Sequence, residues 1–407
     1  MADQARSTRG NQIRAVAASY LGWALDSYGY FVVVFLLGTL SNAFHVGKAL
    51  IIVTLTAILA ARPVGAFVFG LLTDRYGRRT ILMANIVFFS VMELLLGFSS
   101  NYSFFLIVGG IYGIGFGGMW GVGASLSMES VPERWRGLLS GFLQSGYAGG
   151  YILAAIVARF VLPTLGWRWM FWLGSLLGLV TFFISLGVSE SEAWKQQHAV
   201  SMLAVLRIVA SEWKKFAYLV FLMIFMMFLS HGSQDLYPDF LRATHGATNG
   251  TVAYIAVLFN IGAIAGAITF GGLSQRLGRR FAMIGALILS MAVIPLWAFG
   301  HSIVVVTIGA ILMQAGVNGA WGVIPAHLTE MSNDATRGLV PGLAYQLGIL
   351  FASPTPSLEY ILRNAFDYQW ALAGFEIVTI IVLVATLLLG TERRARSFVN
   401  VSDTIVP

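Results

Sequence analysis

The sequence predicts an all-α membrane protein of twelve transmembrane helices built as a duplication, and three observations carry that prediction. Of its 407 residues, 57% are hydrophobic and only 11% charged, and the mean hydropathy is +0.79. Apolar runs of the ~20 residues that cross a bilayer recur along the whole length. A glycine-bounded basic turn, Gly70-Leu71-Leu72-Thr73-Asp74-Arg75-Tyr76-Gly77-Arg78-Arg79, returns as Gly271-Gly272-Leu273-Ser274-Gln275-Arg276-Leu277-Gly278-Arg279-Arg280. The same displacement, 201 residues, relates Gly115 to Gly316, Trp120-Gly121-Val122 to Trp321-Gly322-Val323, Glu129 to Glu330, and Arg136-Gly137 to Arg337-Gly338.

The apolar runs place the spans near 15–38, 49–72, 80–98, 103–126, 138–162, 168–188, 216–240, 251–273, 281–299, 302–325, 338–362 and 369–390. Without water in the hydrocarbon, each run must be a helix that satisfies its own backbone. The 45 glycines suit close approach of such helices. The domains follow as a first half over 1–188, a polar linker over 189–215 and a second half over 216–407.

A net charge of +7 could suggest nucleic acid, but its placement argues for a lipid bilayer and no nucleic acid. Of the 25 Lys and Arg, all but Lys48, Arg62, Arg159, Arg168, Arg242 and Arg363 fall on one side of the predicted membrane. That side holds the N-terminus with Arg6, the turns at 75–79 and 276–280, the connections at 134–136 and 337, the linker, and 393–396. The bias predicts both termini in the cytoplasm. Cysteine is absent, which excludes disulfides, thiol chemistry and Cys-based metal sites. No cleavable signal pattern precedes the first span. No metal or cofactor is expected.

Taken in order, the first span carries Asp26 and Tyr30, four residues apart and so on one face. The second span carries Arg62 at a matched depth. A charge inside the bilayer is expensive unless paired or wetted, so Asp26 and Arg62 are expected to be partners. In the turn at 70–79, Gly70 and Gly77 permit close approach and unusual dihedrals. Asp74 is placed to meet a neighbouring helix N-terminus or an arginine. The arginines Arg75, Arg78, Arg79, Arg136, Arg276 and Arg280 form a layer in which pairs can make and break. The third span holds Glu93. The fifth sets Gln144, Tyr147 and Tyr151 on one stripe, the tenth Gln314, Asn318 and Trp321, and the eleventh carries Tyr345 and Gln346. Pro354 and Pro356 are expected to break the eleventh span near its outer end. Glu376, in the last span, reads as structural.

The turn at 70–79 resembles the signature loop of the major facilitator superfamily, and 271–280 its second-half copy, with Gln275 in place of Asp74. The resemblance covers all twelve spans. It implies two pseudo-symmetric six-helix bundles with a substrate site between them near the midplane, worked by alternating access. The seventh span adds Ser230-His231-Gly232-Ser233-Gln234-Asp235, which resembles the signature of the lactate/pyruvate–proton permeases, although Met227 and Asp239 differ from that pattern. Glu190-Ser191-Glu192-Ala193-Trp194 and Gln144-Ser145-Gly146-Tyr147 are similar to sialate–proton symporters. Gly109 occupies the place of an arginine found in many members. The fifth span lacks the Gly-Pro pair of many exporters, which leans toward uptake.

The resemblance implies roles in substrate recognition and proton coupling for His231, Gln234 and Asp235. With it, the expected function is proton-coupled import of a small monocarboxylate of the lactate or pyruvate type, by a monomer in the bacterial inner membrane. Arg62 is the cation for the substrate carboxylate, with His231 the alternative anion ligand. Gln144, Tyr147, Asn318, Tyr345 and Gln234 orient the small organic anion. Asp26 and Asp235 carry the proton, the only coupling ion expected. A sialate or aromatic-acid symporter is the nearest alternative, and a drug exporter a more distant one. An enzyme is disfavoured because no catalytic or metal constellation is present. A sensor is disfavoured because the termini are short.

Overall fold

The computed structural model describes residues 9–196, 201–393 and 397–398. Arg6, Arg394 and Arg396, assigned above to the basic side, lie outside the described residues. Among the described residues, ten helices are long and apolar enough to cross a membrane unaided. The first span adds Arg9–Phe35, which continues as Leu37–Ala43 after a 64° bend. The eleventh is interrupted, as expected, with Val340–Ala352 and Thr355–Ala365 meeting at Pro354. Together these account for the twelve spans, and no strand occurs among the described residues. The outer faces are apolar, with Phe160, Val304, Trp370 and Leu389 among the most exposed side chains, as contact with lipid requires.

The duplication is visible in the hydrogen bonds. Asn101 caps the fourth span and Ser302 the tenth, each accepting an N–H three residues on. Gly77 and Gly278 both adopt positive φ, +106° and +94°, which only glycine takes without strain. Each turn ends one span and starts the next. Glu190 accepts the Arg78 and Arg79 N–H groups at the start of the third span, at 2.9 and 3.1 Å. Glu392 does the same for Arg280 at the start of the ninth, where a carboxylate also complements the helix dipole.

The fourth span (Tyr102–Ser130) packs against the second (Lys48–Tyr76) through small residues. A methyl group added at Gly65 would overlap the Ile114 carbonyl, and one at Gly117 the Arg62 carbonyl. In the second half, Gly266 meets the Ala315 carbonyl in the same way, 201 residues on. This packing holds the backbone of Arg62 against the fourth span. Gly117→Ala is therefore expected to cost about 1–3 kcal/mol through overpacking. The check is the thermal unfolding midpoint in detergent; an unchanged midpoint would show that the two helices separate freely.

Candidate functional site

All the turns of the 70–79 and 271–280 type gather at one end of the molecule, and there the two halves are locked together. Glu129, at the end of the fourth span, binds Arg78 of its own half and Arg337 of the other, both at 3.1 Å. Glu330, at the end of the tenth span (Ile303–Met331), binds Arg279 of its own half at 2.9 Å and Arg136 of the other at 3.2 Å. The own-half pairs are each 51 residues apart in sequence, so the device is itself duplicated. All six side chains are buried or nearly so. Buried charges of this kind persist only when paired and hydrogen-bonded.

Asp74 adds to the lock. Its carboxylate accepts the Gly338 and Leu339 N–H groups of the opposite half at 2.8 and 3.0 Å, while pairing with Arg78 at 3.1 Å. Gln275, at the equivalent position, accepts the Gly137 N–H at 3.2 Å. The loss of charge at 275 therefore keeps the latch and makes it neutral. Gly70 lies against Leu339, and Gly271 against Gly137 and Gly141, at distances that leave no room for a side chain. Phe398 covers the layer, its ring 3.8 Å from the Arg136 guanidinium and 3.9 Å from that of Arg337.

Not every residue expected in this layer bridges the halves. Arg79 donates to the Leu186 carbonyl at 3.0 Å and Arg280 to the Leu387 carbonyl, so each ties the third or ninth span to the last span of its own half. Arg75 and Arg276 are exposed. The members missed by the candidate set are Glu129, Glu330, Arg279 and Arg337. The repeat at 201 residues contains all four and was the signal for them.

Toward the middle of the molecule lies an aromatic cluster drawn from both halves. Tyr345 stacks on Trp120 with ring centres 4.4 Å apart and meets Trp321 at 5.5 Å and Trp23 at 6.2 Å. Tyr147 stacks on Trp23 at 5.6 Å, and Gln144 accepts the Trp120 indole N–H at 3.0 Å. Arg62 lies over the Phe116 ring at 3.9 Å and faces Tyr345 at 5.9 Å. The expected residues Arg62, Gln144, Tyr147 and Tyr345 thus converge, and the three tryptophans join them.

The predicted ion pair between Asp26 and Arg62 is not formed. Both Asp26 carboxylate oxygens lack a hydrogen-bond partner, as do Nε and Nη2 of Arg62. The guanidinium lies over Phe116 instead, because the fourth span, drawn close by its glycines, brings that ring beneath it. Asp26 feels the charge of Arg62 without touching it. It sits in a pocket of the first bundle beside Glu93, where the Tyr112 hydroxyl donates to its backbone carbonyl.

The seventh-span signature sits away from the locked end. His231 Nδ1 lies 2.9 Å from Asp235, and each side chain is 31% exposed. The helix Trp213–Gln234 ends there, with Asp235 as its C-terminal cap. Gln234 donates to Ser230 at 3.1 Å. Asn318 reaches the signature through Gln314, which accepts from it at 2.9 Å and donates to Ser233 at 3.0 Å. Tyr30, Phe31 and Tyr151 of the first half are partly exposed at this level. Part-exposed aromatics of the first half and the part-exposed His231 and Asp235 of the second are thus found away from the locked end. Glu376, read above as structural, is fully buried and wedged against Gly232, and neither carboxylate oxygen has a hydrogen-bond partner.

The duplicated latch, two six-helix bundles and a site between them can be set beside known proteins. The sequence profile of the Major Facilitator Superfamily matches residues 18–236 and again 220–404. The chain belongs to this superfamily. The "Carboxylic acid transporter protein homolog" of Saccharomyces cerevisiae is 29% identical over 399 residues, covering 91% of this chain and 65% of that protein. The chain thus spans about two thirds of that relative's length. "Sialic acid transporter NanX" of Escherichia coli is 25% identical over 361 residues, covering 87% and 88% of the two chains. In structure, the proton:xylose symporter XylE matches with a TM-score of 0.74 at 19% identity, covering 95% of this chain and 98% of that one, a likeness of fold. The superfamily is one of multi-pass membrane transporters, and these relatives are named as transporters, not enzymes.

Proposed function

We propose that the chain is a proton-coupled symporter that imports a small monocarboxylate of the lactate or pyruvate type by alternating access. One observation carries the reading. Arg62 is buried between the halves at 3% exposure, and Nε and Nη2, which form one edge of the guanidinium, have no hydrogen-bond partner. That edge presents two parallel N–H donors, the geometry that takes a carboxylate bidentately. Asp26 acts on this cation without touching it, and a substrate carboxylate would supply the direct hydrogen bonds that the buried edge lacks. Tyr345 faces the guanidinium, and with Gln144 and Tyr147 it would orient the rest of the acid. His231, Gln234 and Asn318 line the approach.

Proton coupling follows from the same cation. A bound carboxylate cancels its charge, so Asp26 takes a proton as the anion binds and the loaded site is near neutral. Asp235, paired with His231 in the open space, is the second candidate to carry a proton. On this reading the basic, locked end is the cytoplasmic one and the other end opens outward, with residues 1–188 and 216–407 as the two bodies that rock about the site. Their linker is 189–215, and the carrier acts as a monomer in a bacterial inner membrane.

The deciding experiment is uptake of labelled lactate into proteoliposomes with and without an inward proton gradient. Accumulation only with the gradient is expected. Transport that ignores the gradient would remove the proton from the mechanism. Inhibition of uptake by sialic acid but not by pyruvate would move the substrate to the larger acid sugars, as in the relative named for sialic acid.

A further inference from the structure

Glu93, on the third span (Arg78–Gly97), is a buried carboxyl of the first bundle that this mechanism leaves unused. It is fully buried, and neither carboxylate oxygen has a hydrogen-bond partner. Glycines make the space it fills: a methyl group at Gly29 of the first span or Gly174 of the sixth would overlap its oxygens. Asp26 is equally buried and equally unpartnered, and the two carboxyls act on one another.

The surroundings offer no other compensation. From the first span the facing groups are Asp26 and Tyr28, from the second Arg62, and from the fourth Tyr112; the sixth presents Gly174. The two phenols are already committed, with Tyr28 donating to the Met170 carbonyl at 2.6 Å and Tyr112 to the Asp26 carbonyl. Arg62, the cation whose charge reaches Asp26 and Tyr112, is the one assigned to substrate. Two bare carboxylates buried together with no hydrogen-bond donor to either are too costly to persist.

We propose that Asp26 and Glu93 form a two-carboxyl proton store, in which Glu93 holds the transported proton while Asp26 answers to Arg62. The two carboxyls are not hydrogen-bonded to one another, so the proton moves through one bridging water: the Glu93 carboxylic acid gives a proton to the water as the water gives one to the Asp26 carboxylate, leaving a Glu93 carboxylate, the water and an Asp26 carboxylic acid, and the reverse restores it. Anion binding at Arg62 draws the proton to Asp26, and anion release returns it to Glu93 or delivers it to the opened end. Glu93 is thus a positioning residue for the proton and makes no contact with the substrate. This deepens the proposed function and rests on it for the link to transport.

Glutamine at position 93 is the discriminating variant, because it mimics the neutral acid in shape but cannot lose a proton. Glu93→Gln is expected to keep lactate–lactate exchange under equal pH, which also shows that it folds. It is expected to lose ~10-fold or more of gradient-driven accumulation, and the pH of half-maximal uptake is expected to move by ~1 unit. A glutamate that only packs would leave all three unchanged in the variant, and that result would overturn the proposal. Infrared spectra supply an arm independent of the substrate. The wild type is expected to show the carbonyl band of a buried carboxylic acid that Glu93→Gln and Asp26→Asn each alter. If neither variant alters that band, the store does not exist, whatever the protein carries. If the wild type accumulates no carboxylate but the band behaves as expected, the parent reading fails and the proton store stands.

Discussion

Arg62→Gln is expected to lower lactate affinity and uptake by at least ~100-fold. Each charge-assisted hydrogen bond contributes about 1.5–3 kcal/mol, and the edge formed by Nε and Nη2 supplies two. Losing both costs about 3–6 kcal/mol, and every 1.4 kcal/mol is tenfold. Arg62→Lys separates charge from geometry. Lysine keeps the cation but offers a point charge in place of the planar fork, so ~10-fold weaker binding is expected. Quenching of tryptophan fluorescence by substrate is a suitable measurement, since Trp23, Trp120 and Trp321 surround Tyr345 beside the site. Wild-type affinity in Arg62→Lys would mean that the edge is not where the carboxylate docks. Loss of uptake at unchanged affinity would assign Arg62 to conformational coupling instead.

The double variant Arg136→Ala/Arg337→Ala is expected to open the locked end. Both arginines bridge the halves, to Glu330 at 3.2 Å and Glu129 at 3.1 Å, and both lie under Phe398. The own-half partners Arg279 and Arg78 remain, so neither glutamate is left without a cation. Two charge-assisted bonds represent about 3–6 kcal/mol of preference for the closed end. Reversing a 1:99 equilibrium to 99:1 takes ~5.5 kcal/mol, so the loss shifts most molecules. The natural absence of cysteine makes the readout clean. Ser140 is fully buried at this interface and accepts the Ala326 N–H at 3.0 Å. A Ser140→Cys probe should react with a maleimide at least ~10-fold faster in the double variant than in its absence. Equal rates would mean that Asp74, Gln275 and the glycine contacts hold the end shut without the arginines.

These two predictions rest on different kinds of information. The lock was open to reading in the chain, because its parts repeat at a fixed displacement and each repeated residue type has one physical use. A glycine at 77 and at 278 reads as a turn with unusual dihedrals, whereas the repeat marks Glu129 and Glu330 without showing that they are the acidic partners of the arginines, which only the structure gives. The twelve spans were legible for a simpler reason: the bilayer demands a run of apolar residues of fixed length, and that demand is met locally. Even the break at Pro354 follows from a missing N–H and a clash within one turn.

Side-chain partnership across helices was not legible. Depth along two spans put Asp26 and Arg62 level, but rotation about each helix axis decides what they touch. That rotation is set by glycine contacts such as Gly117 against the Arg62 carbonyl, which no single span reveals. The same packing turned Arg62 onto Phe116, left one edge of its guanidinium unused, and buried Glu93 beside Asp26. By itself the sequence determined the spans, the duplication and the composition of the latch, since each is a local pattern or a repeated one. Only the tertiary structure decided which charges meet, which stay unpaired, and which end of the molecule is shut, because those depend on how close small residues let the helices come.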